Sequence, residues 1–179
     1  VILFDRTVDG RRQNISSPMQ LRRLTESLQQ FADIPLLIAV DQEGGRVTRL
    51  KAGDGFPGFL SAGELGDKND PRETGRQAES IAETLSSCGI NFNLAPVVDL
   101  NLNPDNPIIG QYDRSFGSTT ARVVSHAEAY IEAHHRQGIA CCLKHFPGHG
   151  SSAADSHQGF VDVTHQWREE ELSPYKRML

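Results

Sequence analysis

The chain has 179 residues, of which 37% are hydrophobic and 23% are charged, so it can bury a sizeable core and is too apolar for a disordered protein. The formal net charge of −5 gives nucleic-acid binding no electrostatic support. No apolar run approaches the roughly 18 residues that a membrane span needs. No signal peptide is visible. Because the chain opens on Val1 inside an apolar run, we expect the true N-terminus to be missing.

The predicted elements alternate between strands, which are short apolar runs, and helices, which carry capping residues and end near glycine. In chain order we predict a strand over 1–4, a helix over 17–31, a strand over 36–40, a helix over 70–87, a strand over 90–100, a helix over 120–137, a strand over 139–146 and a helix over 167–179. Long polar loops follow the later three strands. In the first helix, the apolar spacing predicts a core-facing stripe of Leu21, Leu24, Leu28 and Phe31.

This alternation predicts an α/β fold with parallel strands and right-handed crossovers. We find no linker, repeat or low-complexity tract, so residues 1–179 are interpreted as one domain or part of one. In such folds, functional residues gather at the carboxyl ends of the strands. The cysteines Cys88, Cys141 and Cys142 form no Cys-x-x-Cys pair. We interpret them as small apolar residues in a reducing compartment.

Polar clusters follow three of the predicted strands. Asp41 begins a glycine-rich segment that also holds Arg46 and Arg49, and a carboxylate there can accept hydrogen bonds from two hydroxyl groups. The alternative is a turn with solvated charges. Arg114 opens the Arg-Ser-Phe-Gly segment and offers a planar fork of donors for ligand oxygens. The alternative for Arg114 is a structural ion pair with Asp99 or Asp113.

The third cluster is Lys144-His-Phe-Pro-Gly-His-Gly150, followed in the same loop by Asp155-Ser-His157. A histidine can give and take a proton near neutral pH, and a neighbouring aspartate can fix its tautomer. The alternative is a local turn in which Asp155 caps backbone amides. Zinc binding by the histidines and Asp155 is a competing interpretation, but the spacing does not match a helical zinc motif. We therefore predict no metal and no cofactor.

Together, the three ordered blocks resemble glycoside hydrolase family 3, in particular its bacterial β-N-acetylglucosaminidase branch. The resemblance implies a (β/α)₈ barrel, of which this chain would hold about strands 2–5 with their helices. It also implies that His157 is the general acid/base and that Asp155 orients it. The implied sugar-binding residues are Asp41, Arg49, Arg114, Lys144 and His145.

The family's nucleophilic aspartate has no match here, and Asp162 is not assigned to that role. We therefore expect it to lie beyond this chain and the 179-residue chain alone to be inactive. A full barrel has roughly 250 residues, so both ends are predicted to be missing. The alternative is that the open edges and apolar faces of a half-barrel are covered by another copy of the chain.

The predicted activity is that of a retaining β-N-acetylglucosaminidase acting on peptidoglycan fragments. The alternatives are an N-acetylglucosaminide phosphorylase or β-glucosidase of the same family, and a non-catalytic sugar-binding protein. The predicted partner is a carbohydrate substrate, with no nucleic acid and no membrane. The predicted compartment is the cytoplasm, with secreted or lipid-anchored forms as alternatives.

Overall fold

The computed structural model describes residues 1–155 and 159–179. Its α-helices are α1 (Pro18–Gln30), α2 (Ala62–Lys68), α3 (Pro71–Ser87), α4 (Thr120–Arg136) and α5 (Ser173–Met178). Its strands are β1 (Ala39–Val40), β2 (Gln42–Gly44), β3 (Val47–Thr48), β4 (Phe92–Asn93) and β5 (Ala140–Cys141). Short 3₁₀ helices cover Ala52–Asp54 and Glu169–Leu172. In the part of the chain that is described, no helix is long and apolar enough to cross a membrane.

The helices begin where the capping residues predict. The Ser17 hydroxyl accepts a hydrogen bond from the amide of Gln20 at 3.2 Å, and Pro18 occupies the start of α1. Asp70 caps α3 in the same way through the amide of Arg72. The short helix α2 was not predicted, because it lies inside a segment that we interpreted as a glycine-rich loop. A capping box at Ser61 starts it.

The central sheet is parallel, as predicted, with the strand order β1-β4-β5. An isolated parallel bridge joins Ile2 to Ala39 and places the first apolar segment beside β1. The predicted strands were too long, since each regular ladder spans two residues. In the 90–100 segment, Pro96 has no N–H to donate to a neighbouring strand, and pairing resumes only as a bridge between Val97 and Lys144. The antiparallel pair β2–β3 was predicted as loop.

Helices α3 and α4 pack closely against each other, and their apolar faces join those of α1 and the sheet in one core. On α1, Leu21 is fully buried, while Leu24 and Leu28 pack against the core from its edge. Phe31 was wrongly predicted as a core residue. It is 89% exposed because α1 ends at Gln30 and the chain turns away. All three cysteines are free, and Cys88 is buried.

Candidate active site

A cavity of about 430 Å³ lies at the carboxyl ends of the parallel strands. Its walls come from the β1–β2 junction, the loop after β4 and the loop after β5. Ten described residues line it: Asp41, Arg46, Val47, Arg49, Ile108, Tyr112, Arg114, Lys144, His145 and Asp155. Six of the seven predicted site residues are among them. The seventh, His157, lies outside the described residues.

A row of alternating charges runs along the floor of the cavity, and we call it the charge chain: Arg49, Asp41, Lys144, Glu43 and Arg114. All of them except Glu43 line the cavity, and Glu43 is buried behind Lys144 and Arg114. The Lys144 ammonium lies 2.8 Å from Asp41 Oδ1 and 2.6 Å from Glu43 Oε1. Arg49 Nη2 lies 3.3 Å from Asp41 Oδ2. Burial alone would raise the pKa of Asp41, but the neighbouring Lys144 and Arg49 hold it below its ordinary value. Asp41 is therefore ionised near neutral pH and can accept hydrogen bonds from hydroxyl groups.

Arg114 ends the charge chain in a two-point pair with Glu43. Its Nε lies 2.8 Å from Glu43 Oε2 and its Nη2 lies 2.7 Å from Glu43 Oε1, with both side chains almost fully buried. Burial opposes the charge of Arg114, yet the Glu43 carboxylate raises its pKa. The alternative interpretation, a structural ion pair with Asp99 or Asp113, was wrong in its partner, because Arg114 pairs with Glu43. A bidentate carboxylate fixes the plane of the guanidinium group.

Sequence reasoning missed Glu43, although a signal was present. Side chains two residues apart point to the same side of an extended segment, so Glu43 reaches the same lysine, Lys144, as Asp41 does. Gln42 between them points the other way. Its side-chain oxygen accepts hydrogen bonds from the amides of Arg49 and Leu50, both at 3.0 Å, and ties the β2–β3 pair together.

A buried polar network supports β2 from behind the cavity. Gln42 O accepts hydrogen bonds from the Tyr130 hydroxyl at 2.7 Å and from Asn93 Nδ2 at 3.0 Å. Asn93 Nδ2 also lies 3.0 Å from His134 Nε2, while His134 Nδ1 lies 2.9 Å from Tyr130 O. Burial lowers the pKa of His134 to about 4, so the imidazole is neutral in the folded protein. The network fixes the backbone between Asp41 and Glu43.

Asp99 is the second carboxylate that the sequence did not assign to the site. It is 1% exposed and follows β4. Its Oδ2 lies 2.6 Å from His145 Nδ1, and its Oδ1 accepts a hydrogen bond from the His149 amide at 2.8 Å. His145 Nε2 lies 3.1 Å from Arg114 Nη2. Asp99 therefore holds both ends of the turn between His149 and His145, of which His145 is a predicted site residue.

The mouth of the cavity is more exposed than its floor. The guanidinium group of Arg46 lies over the ring of Tyr112, 5.4 Å from its centroid. Asp155 lines the cavity from the loop that leads to His157. Within residues 1–155 and 159–179, no three His, Cys, Asp or Glu side chains are grouped so that they could hold a metal ion. The zinc alternative included His157, which lies outside those residues.

Comparison with known proteins adds family information to this geometry. The Glycosyl hydrolase family 3 N terminal domain matches residues 1–179. Beta-hexosaminidase A of Pseudoalteromonas piscicida is 37% identical over 93% of the chain and 29% of its own length. The beta-hexosaminidase of Alkalilimnicola ehrlichii is 41% identical over 88% of the chain and 43% of its own length. The chain thus spans less than half the length of these curated relatives.

The fold is also found in solved structures. NagZ from Neisseria gonorrhoeae, in complex with N-trifluoroacetyl-D-glucosamine, superimposes with a TM-score of 0.85 at 31% identity. The match covers 99% of this chain and 52% of the NagZ chain.

Proposed function

The chain belongs to glycosyl hydrolase family 3, and on that basis we propose that its protein is a retaining β-N-acetylglucosaminidase that removes terminal N-acetylglucosamine from peptidoglycan fragments. The observation that carries the proposal is the charge chain at the floor of the cavity. Alternating acceptors and donors suit a ring of sugar hydroxyls, each of which donates and accepts hydrogen bonds. The similarity to a protein solved with an N-acylglucosamine ligand supports the choice of sugar.

We also propose that residues 1–179 form part of a (β/α)₈ barrel, corresponding to about strands 2–5 with their helices. The 1–4 segment, β1, β4 and β5 lie side by side in chain order, and all pair in parallel. Consecutive strands of such a barrel have this arrangement, and its active sites lie at the carboxyl ends of the strands. The cavity occupies that position.

In the proposed mechanism, Asp41 accepts hydrogen bonds from sugar hydroxyls, and Lys144, Arg49 and Arg114 donate to sugar oxygens. His157 protonates the leaving oxygen and later activates water, while Asp155 stabilises the imidazolium form. An aspartate nucleophile forms the covalent glycosyl-enzyme intermediate of a retaining glycosidase. No residue of this chain is assigned to that step.

The decisive experiment replaces His157 by Ala in the complete protein that carries this chain. Loss of a general acid/base lowers turnover by about 10²- to 10⁴-fold. The loss should be larger for a disaccharide, whose leaving oxygen needs a proton, than for a nitrophenyl glycoside. Sugar affinity, measured by calorimetry, should change little.

His165→Ala is the matched control, because it removes an exposed histidine from the segment that follows the same loop. It should leave turnover of both substrates unchanged. Wild-type turnover in the His157→Ala protein would remove His157 from the acid/base role.

A phosphorylase of the same family is a second candidate. Four cations, Arg46, Arg49, Arg114 and Lys144, line the cavity and could attract a phosphate acceptor. A neutral histidine also repels an anion less than a glutamate would. Turnover measured with and without inorganic phosphate separates the two reactions, because a phosphorylase releases the sugar 1-phosphate and a hydrolase releases the free sugar.

A further inference from the structure

The hydrogen bonds of His145 determine its tautomer. An arginine side chain can only donate, so the contact of 3.1 Å from Arg114 Nη2 requires a lone pair on His145 Nε2. The ring proton must then lie on Nδ1, which is 2.6 Å from Asp99 Oδ2. Each ring nitrogen is engaged by the protein, with Nδ1 as the donor and Nε2 as the acceptor.

The same contacts account for most of the donors of Arg114. Its Nε and one Nη2 hydrogen serve Glu43, and the second Nη2 hydrogen serves His145. One Nη1 hydrogen is directed at Ile108 O, 3.3 Å away. A guanidinium group has five donor hydrogens, so one Nη1 hydrogen has no acceptor among the described residues and can be offered to a ligand in the cavity. A single donor has value for recognition only if the group that carries it is held in one orientation.

We propose that Asp99 is a positioning residue that acts on Arg114 through His145. The buried carboxylate selects the Nδ1–H tautomer of His145, and that tautomer presents the Nε2 lone pair that anchors Arg114. His145 then meets the sugar through its carbon edge and not through a ring nitrogen. This inference rests on the proposed sugar-binding function of the same cavity, and it assigns a role to a carboxylate that lies outside the cavity wall.

We call the hydrogen bonds that run from Asp99 through His145 to Arg114 the relay. Replacing Asp99 by Asn should reverse the donor and acceptor roles in it. The amide oxygen can still accept from the backbone amides of His145 and His149, which turns the NH₂ group towards Nδ1. Nδ1 must then accept, so the ring proton moves to Nε2 and faces a donor of Arg114. We expect nitrogen-15 NMR of the ring to show the proton on Nε2. Loss of one hydrogen bond from a charged donor should weaken N-acetylglucosamine binding by about 10- to 100-fold.

Glu171→Gln is the matched control. Glu171 is also a buried carboxylate at 1% exposure, and it accepts hydrogen bonds from Gly150 and Ser151 in the same loop. It does not hydrogen-bond to His145. The control should lower stability but leave the His145 tautomer and the sugar affinity unchanged. It therefore separates a general loosening of the loop from loss of the relay.

The wild-type protein tests the inference even if the Asp99→Asn protein does not fold. The wild-type spectrum alone must show His145 protonated on Nδ1 and unprotonated on Nε2, and a proton on Nε2 would overturn the proposal. If the variant folds, unchanged tautomer and affinity would also overturn it. Hydrolysis of an aryl N-acetylglucosaminide by the complete wild-type protein tests the proposed function separately, because that assay does not depend on the tautomer.

Discussion

Acidification from pH 7 to pH 4 should destabilise the protein through His134. The imidazole is fully buried, stacks on the Tyr130 ring at 4.3 Å and lies against Asn93 in the network behind the cavity. Burial lowers its pKa from 6.5 to about 4, assisted by the nearby His135 and opposed by the hydrogen bond to Tyr130 O. In the unfolded chain the ring titrates at its ordinary pKa.

The sign follows from proton uptake. Between pH 6.5 and pH 4 the unfolded state binds a proton at His134 that the folded state does not, so acid favours unfolding. The stabilisation is fully present above pH 6.5 and is lost progressively as the pH falls towards 4. A pKa that falls from 6.5 to about 4 corresponds to about 3 kcal/mol, at about 1.4 kcal/mol for each pH unit.

Urea unfolding of wild type and His134→Gln at several pH values between 7 and 4 measures this contribution. The variant should be less stable at pH 7 by about 1 kcal/mol, because hydrogen bonds to Asn93 and Tyr130 O are weakened. Its stability should then fall less steeply with acid, so that the two curves cross and the variant is the more stable protein at pH 4, by about 2 kcal/mol. His126, whose pKa burial also lowers, acts in the same direction in both proteins and cancels in the difference.

His135→Gln provides the control on the exposed face of the same helix turn. Because His135 is the smallest of the causes that act on the pKa of His134, this variant should keep most of the wild-type pH dependence. Equal losses of stability in wild type and His134→Gln between pH 7 and pH 4 would refute the reasoning. An NMR titration of the folded protein with His134 protonating near pH 6.5 would refute it as well.

Two further substitutions test the packing and the charge chain. Gly66→Ala would push a Cβ into the backbone of Phe116 and should destabilise by about 1–3 kcal/mol in thermal unfolding. Gly75→Ala, with 3.8 Å to the nearest atom, should stabilise by about 0.5–1 kcal/mol, and the same sign for both would contradict the packing argument. Glu43→Gln leaves Arg114 without a buried counter-charge and should cost about 3–5 kcal/mol in urea unfolding. Wild-type stability in that variant would contradict the assignment of Glu43 as the counter-charge of Arg114.

The parallel order of the sheet could be predicted because its strands are apolar runs separated by helices. The length of the strands could not, because a hydrophobic run reports burial and not hydrogen bonding. Pro96 shows the difference. The 90–100 segment is buried on both sides of Pro96, yet its hydrogen-bond ladder is interrupted there. The prediction that Phe31 is buried was wrong for a related reason, because the apolar spacing continues one residue beyond the end of α1.

The gathering of Asp41, Arg114 and Lys144 in one cavity follows from their positions after successive strands. Which carboxylate meets which cation does not follow from position. The partner of Arg114 is Glu43, 71 residues away, although Asp113 is its neighbour in sequence. That choice depends on how far along the strand direction each side chain lies, and the register of the sheet sets this position.

The long sequence separations in the charge chain also matter for folding. Lys144 and Asp41 are 103 residues apart, and Arg114 and Glu43 are 71 apart, so these pairs form only when distant parts of the chain have docked. The cavity cannot be present in a partly folded intermediate that lacks either end of that span. A sugar that binds it must therefore stabilise the entire span against unfolding, by an amount that grows with the logarithm of sugar concentration. Slowed hydrogen exchange should then extend to β1, β4 and β5, far beyond the residues that the sugar touches.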